Sequence, residues 1–191
     1  MAPRLVGLTA PGGAGKDYAA GVFEKWGWRH LSTGNVIREH LKKLSLPIDR
    51  LSLNTAGDYL RLTEGGGYLA RECYLRAIVD KPDGDRPILI TGVRSMGEAE
   101  WIGSVGGTLI LIDARYELRR DRRIAGLREG DEALTSELFK QQDDRELGID
   151  EVRPPWMLHL WPVMQSADVT IANNDSQSAF VVAVQNFIFS P

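Results

Sequence analysis

The stretch "LVGLTAPGGAGKDYAAG", residues 5–21, decides the fold. Leu5 to Thr9 form a short apolar run, which reads as a buried strand. Directly after it, the glycines of "APGGAGKD" nearly complete the phosphate-cradling pattern G-x-x-x-x-G-K-[ST]. Two positions depart from it. Ala10 stands at the first glycine, and Asp17 stands where a hydroxyl normally meets a metal ion. A strand entering such a loop, with a helix leaving it, points successive backbone N–H groups inward as an anion nest. Pro11, Gly12, Gly13, Ala14, Gly15, Lys16, Asp17 and Tyr18 are therefore the expected nucleotide cradle, with Lys16 reaching the phosphates.

Outward from this loop, apolar runs alternate with amphipathic stretches. Strands are expected at 4–9, 28–31, 88–91, 107–113 and 168–173. Helices are expected at 15–26, 35–44, 51–63, 68–80, 96–104, 115–126, 134–146 and 176–188. "GTLILID" (107–113) has no polar alternation, as in a parallel sheet covered on both faces. The alternation predicts an α/β fold with a parallel five-stranded sheet and helices on both faces. "DKPDGDRP" (80–87) and "LREGDEALT" (127–135) read as loops, so the chain is expected to be a single domain.

The composition is ordinary for a globular chain, 43% hydrophobic and 26% charged, with one cysteine, Cys73. That excludes a disulfide scaffold and a cysteine-based metal site. No apolar run approaches the ~18–20 residues of a membrane span, and a cytoplasmic location is the expectation. The net charge of −3 argues against general nucleic-acid binding. The basic residues are 17 Arg and 6 Lys, and six Arg fall within 115–128. Guanidinium forks suit multivalent phosphate recognition, although Glu117, Asp121 and Glu129 would equally make a solvated helix face.

With these residues in hand, nearly the whole chain resembles the P-loop kinases of small phosphate acceptors, the neighbourhood of adenylate kinase and dephospho-coenzyme A kinase. The resemblance implies a P-loop NTPase three-layer sandwich with a small helical lid, the lid at about 118–146 and the acceptor region at about 32–80. "LSTGNVIREHL" (31–41) looks like the segment that grips an acceptor monophosphate, so Thr33 and Arg38 would contact the acceptor. Arg94, in "LITGVRSMGEAEW", takes the place of an Arg after the third strand. "LRRDRR" (118–123) looks like the lid's start, with Arg119 stacking on the donor base and Arg122 or Arg123 meeting the transferred phosphate. "DDRELG" (143–148) resembles the returning lid helix, with Arg145 facing the reaction centre. "ADVTIANNDS" (167–176) resembles the loop beside the donor base, where Asn174 lies. For a nucleotide acceptor, Asp58, Tyr59, Arg61 and Arg71 are candidate base contacts.

The G-K-D loop also resembles those of phosphomevalonate kinase and of a phage deoxynucleoside monophosphate kinase. In the adenylate-kinase pattern the loop hydroxyl binds Mg²⁺ and an acid at the end of the third strand holds a metal-bound water. Here that strand ends Ile90-Thr91-Gly92, without an acid. The expectation is an exchange, with Asp17 and Thr91 trading roles around one Mg²⁺, which would reverse the carboxylate's repulsion of phosphate. Asp113, after "LILI", is a second, weaker metal candidate. The expected activity is ATP-dependent phosphoryl transfer to a nucleoside or deoxynucleoside monophosphate. A kinase of another small acceptor (phosphomevalonate, a dephospho-coenzyme or a modified nucleobase) and a nucleotide-binding regulatory ATPase are the alternatives. "ANND" (172–175) lacks the lysine of a G-protein base motif.

Overall fold

In the computed structural model, residues 4–79, 85–126 and 134–190 are described. The loop expectations for 80–84 and 127–133 lie outside them. The strands are β1 (Leu5–Thr9), β2 (Arg29–Ser32), β3 (Ile88–Thr91), β4 (Thr108–Asp113) and β5 (Val169–Ala172). They form one sheet in the order β2-β3-β1-β4-β5, and every pairing is parallel. This is the α/β sheet that the alternating pattern predicts.

Side chains leave the two sheet faces alternately, and two cores follow. Leu5, Ile88, Ile90 and Leu109 point to one face. There they meet α2 (Thr33–Lys43), α3 (Arg50–Glu64), α4 (Tyr68–Val79) and α5 (Met96–Ser104). Val6, Leu8, Leu89, Ile110 and Ile112 point to the other, where α1 (Lys16–Lys25) and α9 (Gln177–Ile188) pack. Phe23 and Trp28 meet edge-on there at 4.9 Å. The remaining helices are α6 (Tyr116–Ala125), α7 (Ser136–Leu147) and α8 (Leu160–Gln165).

Helix α8 is not expected from sequence. Pro162 lies in its first turn, where a missing N–H costs nothing, and its "LWPVMQ" run is too short to show a period. It buries Leu160 and Val163, so the unassigned segment 153–162 is in part a packing element. Among the described residues, no helix is long and apolar enough to cross a membrane.

Candidate functional site

Ligands of open parallel sheets lie beyond the carboxyl ends of the strands, and a cleft lies there, lined by residues such as Lys16, Ser32, Thr91 and Arg94. It has a volume of about 430 Å³. After β1 the chain arches through a tight turn in which Ala14 N–H donates to the Pro11 carbonyl at 3.2 Å. Gly13 and Gly15 hold φ of 83° and 101°, a region that favours glycine. A Cβ on Gly13 would lie 2.3 Å from the Arg119 carbonyl oxygen, and one on Gly15 would lie 2.4 Å from Asn173 Nδ2. On the side of Gly12 a Cβ would meet nothing within 4 Å. The loop is thus braced from outside and open at Gly12. Asn173 completes the brace by donating from Nδ2 to the Ala14 carbonyl at 2.8 Å.

Helix α1 begins at Lys16 with Gly15 as its N-cap, and no side chain caps it. Helix α2 begins at Thr33 with Ser32 as N-cap, and again no side chain bonds its first turn. By contrast, Asp49, Ser95, Thr135 and Ser176 cap α3, α5, α7 and α9. The first N–H groups of a helix have no intrahelical acceptor, and the dipole adds positive potential there. The first residues of α1 and of α2 both line the one cleft. Two polar helix ends therefore face the same space.

Lys16 bonds Asp17 Oδ1 in this arrangement. Burial pulls the Asp17 carboxyl upward, but the bond from Lys16 and the charges of Lys16, His30 and Arg38 hold it below the usual carboxylate range. Thr91, on the same cleft, is buried. Its Oγ1 lies 2.8 Å from His30 Nε2, and His30 Nδ1 lies 3.2 Å from Glu24 Oε1. His30 carried no sequence signal, because its neighbours are 6 and 61 residues away.

On the side of α2 and α3, Thr33 is buried and its hydroxyl donates to the Gly92 carbonyl at 2.7 Å, fixing α2 to the exit of β3. Arg38 is exposed at the rim and bonds Asn35 Oδ1 at 3.2 Å. Arg61 is 2% exposed. Its Nε meets Glu98 Oε1 at 3.0 Å and its Nη1 meets Asp58 Oδ1 at 3.2 Å. Arg61 still borders the cleft, but two acids already answer its charge. Asp58 also accepts from Leu158 N–H at 2.8 Å and is not in the cleft wall. Arg71 lies off the cleft as well, over the Tyr68 ring, with Nη2 donating to the Glu64 carbonyl at 3.3 Å. Tyr59 is exposed beside His40, off the cleft wall.

Arg94 follows β3 into the cleft, and its backbone N–H donates to Glu98 Oε2 at 2.8 Å. Burial first, then the nearby Arg50 and Arg61, push its guanidinium down to about 10. Its Nη1 pairs with Glu146 Oε2 at 2.8 Å, while Arg50 pairs with Oε1 of the same carboxylate. Arg50 and Glu146 are site residues that sequence reading missed. The signal for Glu146 was present: Phe139, Asp143 and Glu146 share one face of α7 at helical spacing. Arg145, one residue earlier, points out and is exposed. The expectation that it faces the cleft fails by one helical step of about 100°.

On the side of α6, Arg119 is 6% exposed. It pairs with both oxygens of Asp143 at 2.6 and 2.8 Å, and donates to the carbonyls of Ala114 and Gly12 at 3.1 and 3.3 Å. Its guanidinium already lies over Tyr116 and Phe139. The expected free stacking surface is therefore a brace holding α6, α7 and the glycine loop together. Arg122 donates to the Asn173 carbonyl at 3.0 Å through Nη2, whereas its buried Nη1 has no partner. Arg123 is half-buried and acts electrostatically on Arg50 and Arg94. Asn174 accepts from Arg115 N–H at 2.7 Å. Tyr18 is exposed near Phe180. Asp113 Oδ1 accepts from Ala114 N–H at 2.8 Å. Among the described residues, no group of three or more His, Cys, Asp or Glu side chains gathers for a metal.

No protein-family model matches the chain. Over 149 residues it is 31% identical to a UPF0200 protein of Methanothrix thermoacetophila, covering 76% of this chain and 79% of the relative. Among solved structures it superposes on shikimate kinase from Acinetobacter baumannii with a TM-score of 0.57 at 18% identity, covering 97% of this chain and 91% of the other. It also superposes on dephospho-CoA kinase from Campylobacter jejuni with a TM-score of 0.51 at 18% identity, covering 96% and 94%. The fold is shared with these P-loop small-molecule kinases.

Proposed function

The chain belongs to the UPF0200 family, and from that premise and the geometry above we propose that it is an ATP-dependent kinase of a small acceptor, with a nucleoside or deoxynucleoside monophosphate as the expected substrate. One observation carries the reading: two helix N-termini without side-chain caps open on one cleft, and the first follows a glycine loop bearing Lys16. A phosphoryl donor and a phosphorylated acceptor both carry anionic oxygens, which helix N-termini suit. The donor phosphates fit the loop, because glycine is required at 13 and 15 and the side of Gly12 is open. The unpartnered Arg122 Nη1 is a further donor awaiting an acceptor.

In this reading the loop N–H groups and Lys16 hold the triphosphate. Phosphoryl transfer asks mostly for positioning and charge neutralisation. Asp17, whose carboxyl lies below the usual range, is the carboxylate that would hold Mg²⁺, and the Thr91 hydroxyl, bonded to His30, lies in the same cleft wall. One carboxylate suffices for an ion that keeps several waters. Bound Mg²⁺ would supply Lewis-acid neutralisation of the phosphate oxygens. Thr33, Arg38 and Arg94 border the acceptor space, whose walls include residues of α2 and α3. Arg122 and Arg123 answer charge from the segment of about 118–146, of which 127–133 lie outside the described residues, and a lid there would serve to exclude water. All of this is carried by a single kinase domain in the cytoplasm.

The deciding experiment measures ADP release with saturating Mg²⁺ and ATP against a panel of acceptors: nucleoside and deoxynucleoside monophosphates, phosphomevalonate, dephospho-coenzyme A and modified nucleobases. Stimulation by a monophosphate supports the reading, and stimulation by another compound moves the acceptor class. Hydrolysis that no acceptor changes would instead make the chain a regulatory ATPase.

A further inference from the structure

Glu146 is, with Asp17, one of two acids in a cleft whose other charged residues are Lys16, Arg38, Arg50, Arg61 and Arg94. Its side chain is 5% exposed, and its two oxygens serve different guanidiniums, Oε1 for Arg50 and Oε2 for Arg94. Those arginines come from separate parts of the chain: Arg50 opens α3, and Arg94 follows β3. The carboxylate itself comes from the last turn of α7. One group bridging two guanidiniums is the posture of an oxyanion ligand.

The other charges nearby make the exchange specific. Arg61 is already answered by Glu98 and Asp58, and Lys16 by Asp17. Arg50 and Arg94 share Glu146 as the acid between them, and the rim residue Arg38 acts on Asp17. Two guanidiniums on one carboxylate leave one positive charge in excess, with the half-buried Arg123 adding to the field on Arg50 and Arg94. The uncapped N-terminus of α2 borders the same space. A phosphate dianion would balance this set better than one carboxylate does.

We infer that Glu146 is a built-in competitor for the acceptor's anionic group: a phosphate monoester takes its place on Arg50 and Arg94, and the end of α7 is released. This rests on the kinase reading and deepens it. It makes the acceptor a phosphorylated compound and Glu146 the residue that screens out neutral ones, since a hydroxyl alone cannot replace the carboxylate's charge on two guanidiniums.

The test titrates inorganic phosphate into the full chain by calorimetry, without ATP, for the wild type, Glu146→Gln, Arg50→Gln and the double variant. Glu146→Gln is expected to bind phosphate about tenfold tighter, in line with the coupling of close charge pairs. Adding Arg50→Gln is expected to abolish the gain, which separates this site from the glycine loop. Phosphate is also expected to raise the thermal midpoint of Glu146→Gln more than that of the wild type, a readout that survives poor folding in plain buffer. Unchanged or weaker phosphate binding by Glu146→Gln, with no extra thermal rescue, means that Glu146 is a structural tie, and overturns the inference. A gain that persists in the double variant overturns it too. Because no donor is present, the result is independent of phosphotransfer: a tenfold gain without any stimulated ADP release keeps the exchange and removes the kinase.

Discussion

Lys16 is tied to its own neighbour, Asp17, rather than to a distant acid. An adjacent, largely exposed carboxylate holds an ammonium without anchoring it, so the pair can part when phosphates enter. In the proposed reaction Lys16 then faces the charge that develops on the transferred group. Its replacement in Lys16→Ala is expected to lower turnover by roughly 10²–10³, a barrier rise of about 2.7–4 kcal/mol. Steady-state ADP release would show it, and near-normal turnover would remove Lys16 from the chemistry. Asp17 makes a separate claim. Burial raises its carboxyl, but the bond and charge of Lys16, with the charges of His30 and Arg38, outweigh that and hold it below the ordinary range. Asp17→Asn is expected to move the Mg²⁺ titration of turnover to higher concentration with ATP saturating. An unchanged titration would dismiss the exchange of roles with Thr91.

Between elements, the most demanding contact is Glu98. It is fully buried, pairs with Arg61 through Oε1, and accepts the Arg94 and Ser95 N–H groups through Oε2. Ser95 and Glu98 form a reciprocal capping box that starts α5. One carboxylate thus joins α3, the exit of β3 and α5. Glu98→Ala leaves the Arg61 cation buried with only Asp58, and breaking such a pair typically costs about 3–5 kcal/mol. For a chain of this length that lowers the thermal midpoint by on the order of 10 °C. A loss below about 1 kcal/mol in denaturant unfolding would show that Arg61 finds other partners. Elements of this kind explain what was legible in the sequence. The strands and the glycine loop were readable because period, run length and turn chemistry are local. "SMGE" (95–98) displayed its capping box openly. The roles of Arg119 and Arg61 were not readable, since each depends on an acid 24 or 37 residues away. Resemblance placed arginines at the cleft, but it could not show which ones fold back onto carboxylates of the chain itself. Glu146 against Arg145 turned on helical phase, which a boundary uncertain by a residue blurs.

Across the whole molecule, the carboxyl ends of β1, β2 and β3 deliver Thr9, Ser32 and Thr91 to one edge, and both sheet faces are sealed by helices. The cleft's geometry is then only as secure as the core behind it, and Cys73 reports on that core. It is fully buried on α4, in the cluster with Leu69, Ile88 and Ile90. Burial, and then the charge of Glu98, push its thiol up to about 12 from an ordinary 9.0. The folded thiol therefore keeps its proton where an unfolded one loses it. Between pH ~9 and ~12 the unfolded state binds fewer protons, so stability falls as pH rises through that window. Near pH 8 a thiol-specific disulfide reagent needs both access and a thiolate, and the folded chain offers neither. Labelling of Cys73 is expected to wait for opening of the core, to proceed at once in denaturant, and to quicken in Glu98→Ala as its open population grows. A rapid burst of labelling on the native chain would show α4 loosely seated, and would remove the support that holds Arg61 and Arg94 at the cleft.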